Sequence, residues 1–283
     1  MNQVRNAECG VRNRNARVAG RASLHCNSAF RIPHSALCLP ALLALAATAE
    51  PMRAQQWPVH SMDRPRPPVV DPGPERPPLP PPSDAIVLFD GKSLAEWQSE
   101  DGTPAKWVVR DGYLEVAPRT GAIVTKRGFG DVQLHLEWAA PVPATGEGQD
   151  RGNSGVFLMT HYEVQVLDSY HSDTYADGQA AAVYGQTPPL ANACRPPGQW
   201  QTYDIIFQRP RFTADGAVRD SARVTVLHNG VLVQDNTTIT GWTVHGQRAH
   251  YATHPDRLPL LLQDHGHPVR YRDIWIRELK EHE

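Results

Sequence analysis

From Asp84 onward, apolar and polar residues alternate with a period of two in short runs, each stopped by turn residues. Side chains on a strand alternate faces, so each run predicts a strand with one buried and one polar side. Ile86 to Phe89 ends at Asp90-Gly91. Lys106 to Arg110 and Tyr113 to Val116 flank Asp111-Gly112, a dipeptide that supplies the positive φ values of a tight hairpin. Val132, Leu134 and Leu136 alternate with Gln133, His135 and Glu137. Thr202 to Gln208, Ala222 to His228 and Val231 to Gln234 follow, with Asn229-Gly230 as a second tight turn. Leu258 to Gln263 and Tyr271 to Leu279 close the series. No window carries the 3.6-residue periodicity of a helix of about ten residues. About a dozen short strands in roughly 200 residues predict a single all-β domain, a jelly-roll sandwich of two antiparallel sheets.

The segment Gly152 to Tyr170, GNSGVFLMTHYEVQVLDSY, holds two such alternations joined by a short turn. Val156, Leu158, Val164 and Val166 share the apolar side. Glu163 and Gln165 therefore share the opposite one, with Asp168 just past the strand end. An acid and an amide backed by aliphatic residues describe one wall of a polar groove. Two stretches break the strand rhythm, Ser169 to Pro197 and Gly241 to Pro259, the second carrying His245, His250 and His254. Long loops on a compact sandwich are commonly functional rims.

The N-terminal region changes the picture of location. Ser35 to Ala49 is a short apolar run behind Arg31, ending in Ala47-Thr48-Ala49. A basic flank, an apolar stretch too short to span a bilayer and a small-x-small end predict an export signal within residues 1–54. Residues 55–83 are a proline-dense linker, expected to run extended, and residues 84–283 are the folded domain. Of four cysteines, Cys9, Cys26 and Cys38 fall in the exported leader and only Cys194 remains, so the fold stands without an internal disulfide. A formal net charge of −2 gives no basis for binding nucleic acid or an anionic membrane.

Three constellations carry candidate chemistry. Glu163-x-Gln165-x-x-Asp168 is similar to the E-x-D-x-x-E strand of retaining glycosidases on concanavalin-like jelly rolls, but an amide replaces the central acid. Ordinary two-carboxylate hydrolysis is weakened by that replacement, and a sugar-binding face is not. Gln263-Asp264-His265 can present an amide and an imidazole beside Glu163 if their strands are neighbours. His265 and His267 with a carboxylate could hold a divalent metal, a set of Glu163, Asp168 and His265 being the natural one, although the spacing matches no zinc motif. Arg272 at a strand start can clamp an oxyanion or pair with a structural carboxylate. Lys126, Glu137 and Asn153 are further candidates for the groove. No phosphate-binding loop, dinucleotide fingerprint or nucleophile elbow occurs.

LFDGKSLAEWQ, NSGVFL, YEVQVLDSY, TYADGQAAAVYGQTPPL, PGQWQTYDIIFQRPRF, VTVLHNGVLVQDN and LLLQDHGHPVRYRDIWIREL together resemble the 3-keto-disaccharide hydrolase domain family over about residues 84 to 280. The resemblance implies a concanavalin A-like jelly roll, often secreted, acting on glycosides oxidised at C3 as hydrolase, lyase or hydratase. It implies a small oxidised sugar as partner. It also implies groove residues at Glu163, Gln165, Asp168, Gln263, His265 and Arg272, with His265 or Glu163 as base and Arg272 or a metal at the oxyanion. A non-catalytic sugar-binding module and an ordinary glycosidase stay open as alternatives.

Overall fold

The computed structural model describes residues 57–280 of the 283; the export signal expected within residues 1–54 lies outside the described residues. In chain order the strands are β1 (Ile86–Phe89), β2 (Trp97–Ser99), β3 (Val108–Arg110), β4 (Tyr113–Glu115), β5 (Ile123–Phe129), β6 (Val132–Ala139), β7 (Ser154–Leu158) and β8 (Tyr162–Val166). They continue as β9 (Gln201–Gln208), β10 (Arg211–Phe212), β11 (Val218–Asp220), β12 (Arg223–His228), β13 (Val231–Thr238), β14 (Leu258–Leu262) and β15 (Arg270–Glu278). Among the described residues the only helical piece is a 3-10 turn, Ala176–Gly178.

The strands form a concanavalin A-like jelly roll of two antiparallel sheets. The larger runs β13-β12-β9-β6-β15-β4-β3, with β1 also paired to β15, and the smaller runs β2-β5-β14-β7-β8; β10 and β11 make a separate ribbon. Asp111-Gly112 and Asn229-Gly230 both have the positive φ values that tight hairpins need. The core lies between the sheets. Leu134, Leu136, Trp138, Tyr203, Ile205 and Phe207 from the larger sheet meet Val156, Leu158, Tyr162, Val164 and Val166 from the smaller, all nearly inaccessible to solvent. Tyr271 crosses this core to donate its hydroxyl proton to Ser154 Oγ at 2.6 Å. Tyr203 likewise donates to the Gln165 carbonyl at 2.7 Å, so the two sheets are tied by polar contacts as well as packing.

An inward Tyr271 fixes what its neighbour does. Arg272 points to the outer face of the larger sheet, directly across from Glu137 in the β15–β6 ladder. A one-residue bulge at Asp273, whose φ is 49°, shifts the alternation by one so that Ile274 and Ile276 enter the core in place of Asp273 and Trp275. The polar wall bearing Glu163 and Gln165 is on the outer face of the smaller sheet, across the whole core.

Strand β8 would end the smaller sheet with an open edge. The long loop from Ser169 closes it instead. Ala181 N donates to Gln165 O, Gln165 N to Ala182 O and Tyr184 N to Glu163 O, so the loop docks as an irregular edge partner. The proline-dense segment is not a free tether in the structure. Its described part lies along the domain: Val70 N donates to Asn192 O, Asn192 N to Pro68 O, and Arg195 to the carbonyls of Gly73 and Pro74. Trp57 O accepts from Arg248 Nη2 at 2.6 Å.

Candidate active site

The cross-strand pairs Gly155↔Gln165 and Phe157↔Glu163, together with Gln263 N donating to Gly155 O, bring three strands together on one face. There a pocket of about 220 Å³ opens, floored by Glu163, Gln165 and Gln263 and walled by Asn153, Tyr184 and His245. Phe157, Thr243 and His265 complete its rim.

Glu163 is 4% exposed. Burial alone pushes its carboxyl up to about 8, with no hydrogen bond or cation pulling it back. Its position depends on Gly155: a Cβ there would come within 2.6 Å of Glu163 Oε1 and 2.7 Å of the Phe157 ring. The missing side chain makes the space that the carboxyl occupies.

Gln165 differs from Glu163 in being held. Gln165 Nε2 donates to Gln149 Oε1 at 2.9 Å, and Gln149 is fixed in turn by Thr174 Oγ1 at 2.7 Å and Gly178 O at 2.8 Å. Asn153 Nδ2 donates to Gln149 O at 2.8 Å, so one residue, Gln149, organises this side of the pocket. The side-chain amide oxygens, Oε1, of Gln165 and Gln263 are buried with no hydrogen-bond partner. Buried acceptors without donors are costly, and here they border an open pocket where a ligand's hydroxyl groups would satisfy them. Tyr184 closes the opposite wall, its hydroxyl 2.7 Å from that of Tyr175 and 3.1 Å from His245 Nδ1.

The structure gathers Glu163, Gln165, Gln263, His265 and Asn153 from the residues expected at the groove. It separates four others. Asp168 is 1% exposed and locked: Oδ2 accepts from Arg151 Nε at 2.7 Å and Oδ1 from Tyr170 N at 3.1 Å. It fastens the loop entering β7 to the one leaving β8 and does not line the pocket. Arg272 donates from Nε to Glu137 Oε2 at 2.6 Å and lies 4.1 Å over the Trp200 ring on the larger sheet's outer face. Neither Arg272 nor Glu137 lines the Glu163 pocket. Lys126 is exposed on β5 and lines a separate depression with Trp97 and Gln98. Strand alternation gave Arg272 and Glu137 a polar face but not which of two polar faces.

The metal set Glu163, Asp168 and His265 is not assembled, because Asp168 is held by Arg151. Among the described residues no group of three His, Cys, Asp or Glu is placed to hold a metal ion. His265 and His267 stack with rings nearly parallel and 6.2 Å apart, while His267 Nε2 is 3.2 Å from Asp150 Oδ1. Asp264 between β14 and β15 is structural: its carboxylate accepts from Thr120, Gly121 and Gly266 backbone N–H groups. Cys194 is buried, its thiol pushed up to about 12, far from the reactive thiolate range. Phe157, Thr243, Gln149 and Tyr184 were not singled out from the sequence; Tyr184 and Gln149 lie in loops, where periodicity is silent.

A jelly roll with a polar, acid-floored pocket on the face of its smaller sheet defines a carbohydrate-active domain. Comparison with known families agrees: residues 84–277 match the 3-keto-alpha-glucoside-1,2-lyase-like domain, and the chain belongs to that family. A solved candidate glycosyl hydrolase from Parabacteroides distasonis ATCC 8503 is 46% identical, with a TM-score of 0.69 over 73% of this chain and 94% of its own. A second candidate glycosyl hydrolase from the same organism is 19% identical, with a TM-score of 0.52 over 70% and 94% of the two chains, and shares the fold. Among curated proteins no match was found.

Proposed function

We propose that the protein cleaves the glycosidic bond of 3-keto-glycosides by elimination, with Glu163 as the base. The observation that carries this reading is a carboxyl raised to about 8 by burial alone, at the floor of a pocket lined with unpartnered sugar-compatible acceptors. A carboxylate that has lost its hydration is a stronger base, and its titration is matched to near-neutral conditions. A C3 ketone acidifies the neighbouring C2–H bond. Glu163 takes that proton, and the C–H electron pair moves into an enolate whose negative charge rests on the C3 oxygen. The enolate pair then forms the C1–C2 double bond as the C1–O bond to the aglycone breaks. The departing oxygen leaves with that bonding pair and receives a proton from His265 at the rim or from water. Water adding to the resulting enone completes a net hydrolysis.

Gln165 and Gln263 accept hydrogen bonds from the sugar hydroxyls, the Tyr184 hydroxyl pairs with a hydroxyl remote from the reacting carbons, and the Gln263 amide N–H is the donor available to the C3 oxygen. The missing central acid of the glycosidase-like strand fits this chemistry, since elimination needs one base rather than a nucleophile and acid pair.

The test compares a 3-keto-glucoside with its unoxidised parent, for wild type and Glu163→Gln, across pH and with and without a chelator. Expected are cleavage of the keto substrate only, a loss on the order of 10³-fold in the variant and a kcat/KM that rises with pH through a midpoint near 8 to a plateau above it. Equal cleavage of both substrates would sink the keto-dependent step. Cleavage of neither by wild type would return a sugar-binding module.

A further inference from the structure

The family match begins at residue 84, yet residues before it reach the pocket wall. His60 stacks on Tyr175 with ring centroids 4.1 Å apart and planes 17° from parallel. It meets the edge of Tyr184 at 5.0 Å and lies 5.2 Å from His245. Tyr184 and His245 are pocket residues, so His60 backs the wall opposite Glu163.

This contact is anchored at several points. His60 N donates to Asp177 Oδ2 at 3.1 Å, and Asp177 is 1% exposed in the 3-10 turn. Arg64 Nη1 donates to Gln186 O at 3.1 Å and lies 4.0 Å from the same Asp177 oxygen. His60 holds a left-handed φ of 60°, a conformation a non-glycine residue keeps only when its surroundings enforce it. The prolines around it restrict the unfolded segment, which lowers the entropy lost on docking. Its Nε2 is buried without a partner, so the ring contributes by its faces and not by a hydrogen bond.

We propose that the proline-dense segment is a built-in part of the site and that His60 is a positioning residue, holding Tyr175, Tyr184 and His245 where the Tyr184 hydroxyl meets the sugar. This rests on the reading of the Glu163 pocket as the sugar site. The segment therefore governs substrate binding rather than proton abstraction, which belongs to Glu163 on the other side. Without the stack, the Tyr175–Tyr184 hydroxyl pair loses the surface that fixes its rotamers, and the wall becomes mobile.

The test uses the full chain with His60→Ala and His60→Phe. Hydrogen–deuterium exchange is followed in residues 175–187 and 243–246, and steady-state kinetics are measured on the 3-keto-glucoside. His60→Ala is expected to raise exchange in those two segments and to raise KM about threefold to tenfold, the range set by losing one aromatic stack. Its kcat should stay within about twofold of wild type. His60→Phe restores both readouts, because it keeps the stack and removes only an unpartnered nitrogen. Unchanged exchange at the wall in His60→Ala, or a fall in kcat with KM unchanged, would overturn the proposal. If wild type fails to turn over the substrate, the reading of the function fails, while the exchange comparison still decides whether His60 positions the wall.

Discussion

Replacing Glu163 by glutamine should change how stability depends on pH, and the change can be worked out in advance. A carboxyl with an ordinary value of 4.5 and a folded value of about 8 is neutral in both states at low pH. Between those values only the unfolded chain releases the proton, so each pH unit there favours unfolding by about 1.4 kcal/mol. The stability is therefore fully present below the unfolded value and is lost as pH rises through the folded one, after which the loss is constant. It amounts to on the order of 4–5 kcal/mol, a large part of the 5–15 kcal/mol typical of a domain. Glutamine has nothing to ionise. Guanidinium unfolding of both proteins at pH 5, 7 and 9 isolates the effect, since all other groups cancel in the difference. The variant should gain about 4 kcal/mol on wild type between pH 5 and pH 9, equivalent to roughly 10 °C in Tm for a domain of this size. Stabilities that run parallel within about 0.5 kcal/mol would show a carboxyl that is solvated in the folded chain, and the assignment of Glu163 as base would lose its physical ground.

Two further outcomes separate site from scaffold. Gly155→Ala should leave the core untouched but push Glu163 and Phe157 aside, cutting kcat/KM by about 10²-fold with a stability loss under about 2 kcal/mol, read by kinetics and thermal unfolding. Arg272→Met should do the opposite: turnover within about twofold, but about 3 kcal/mol less stable, because Glu137 at 3% exposure is left as an unpaired buried carboxylate. Adding Glu137→Gln should recover most of that loss in denaturant titrations, whereas loss of turnover in Arg272→Met would return the arginine to the site.

Local patterning carried much of the architecture. The period-two alternation in β6, β7, β8 and β9 is present in the residues themselves, because a half-buried strand must alternate whatever sheet it joins. Asp111-Gly112 and Asn229-Gly230 likewise turn the chain by their own conformational preferences. The same logic put Glu163 and Gln165 on one polar face, and the neighbour relation of β14 and β7 then added Gln263 and His265.

Alternation says that a side chain faces away from the core, but a sandwich has two outer faces. Only the packing of Tyr271 into the core sent Arg272 and Glu137 to the far one, away from the Glu163 pocket. Only the loop contacts captured Asp168 with Arg151 and built a wall from Tyr184, His245 and His60, residues more than 50 positions apart in the chain. The sequence by itself determined the strands, the turns and the acid-amide floor of the pocket, since those follow from interactions between near neighbours. The tertiary structure decided which polar residues share that pocket and how dry Glu163 is, because burial is a property of what the distant chain places on top.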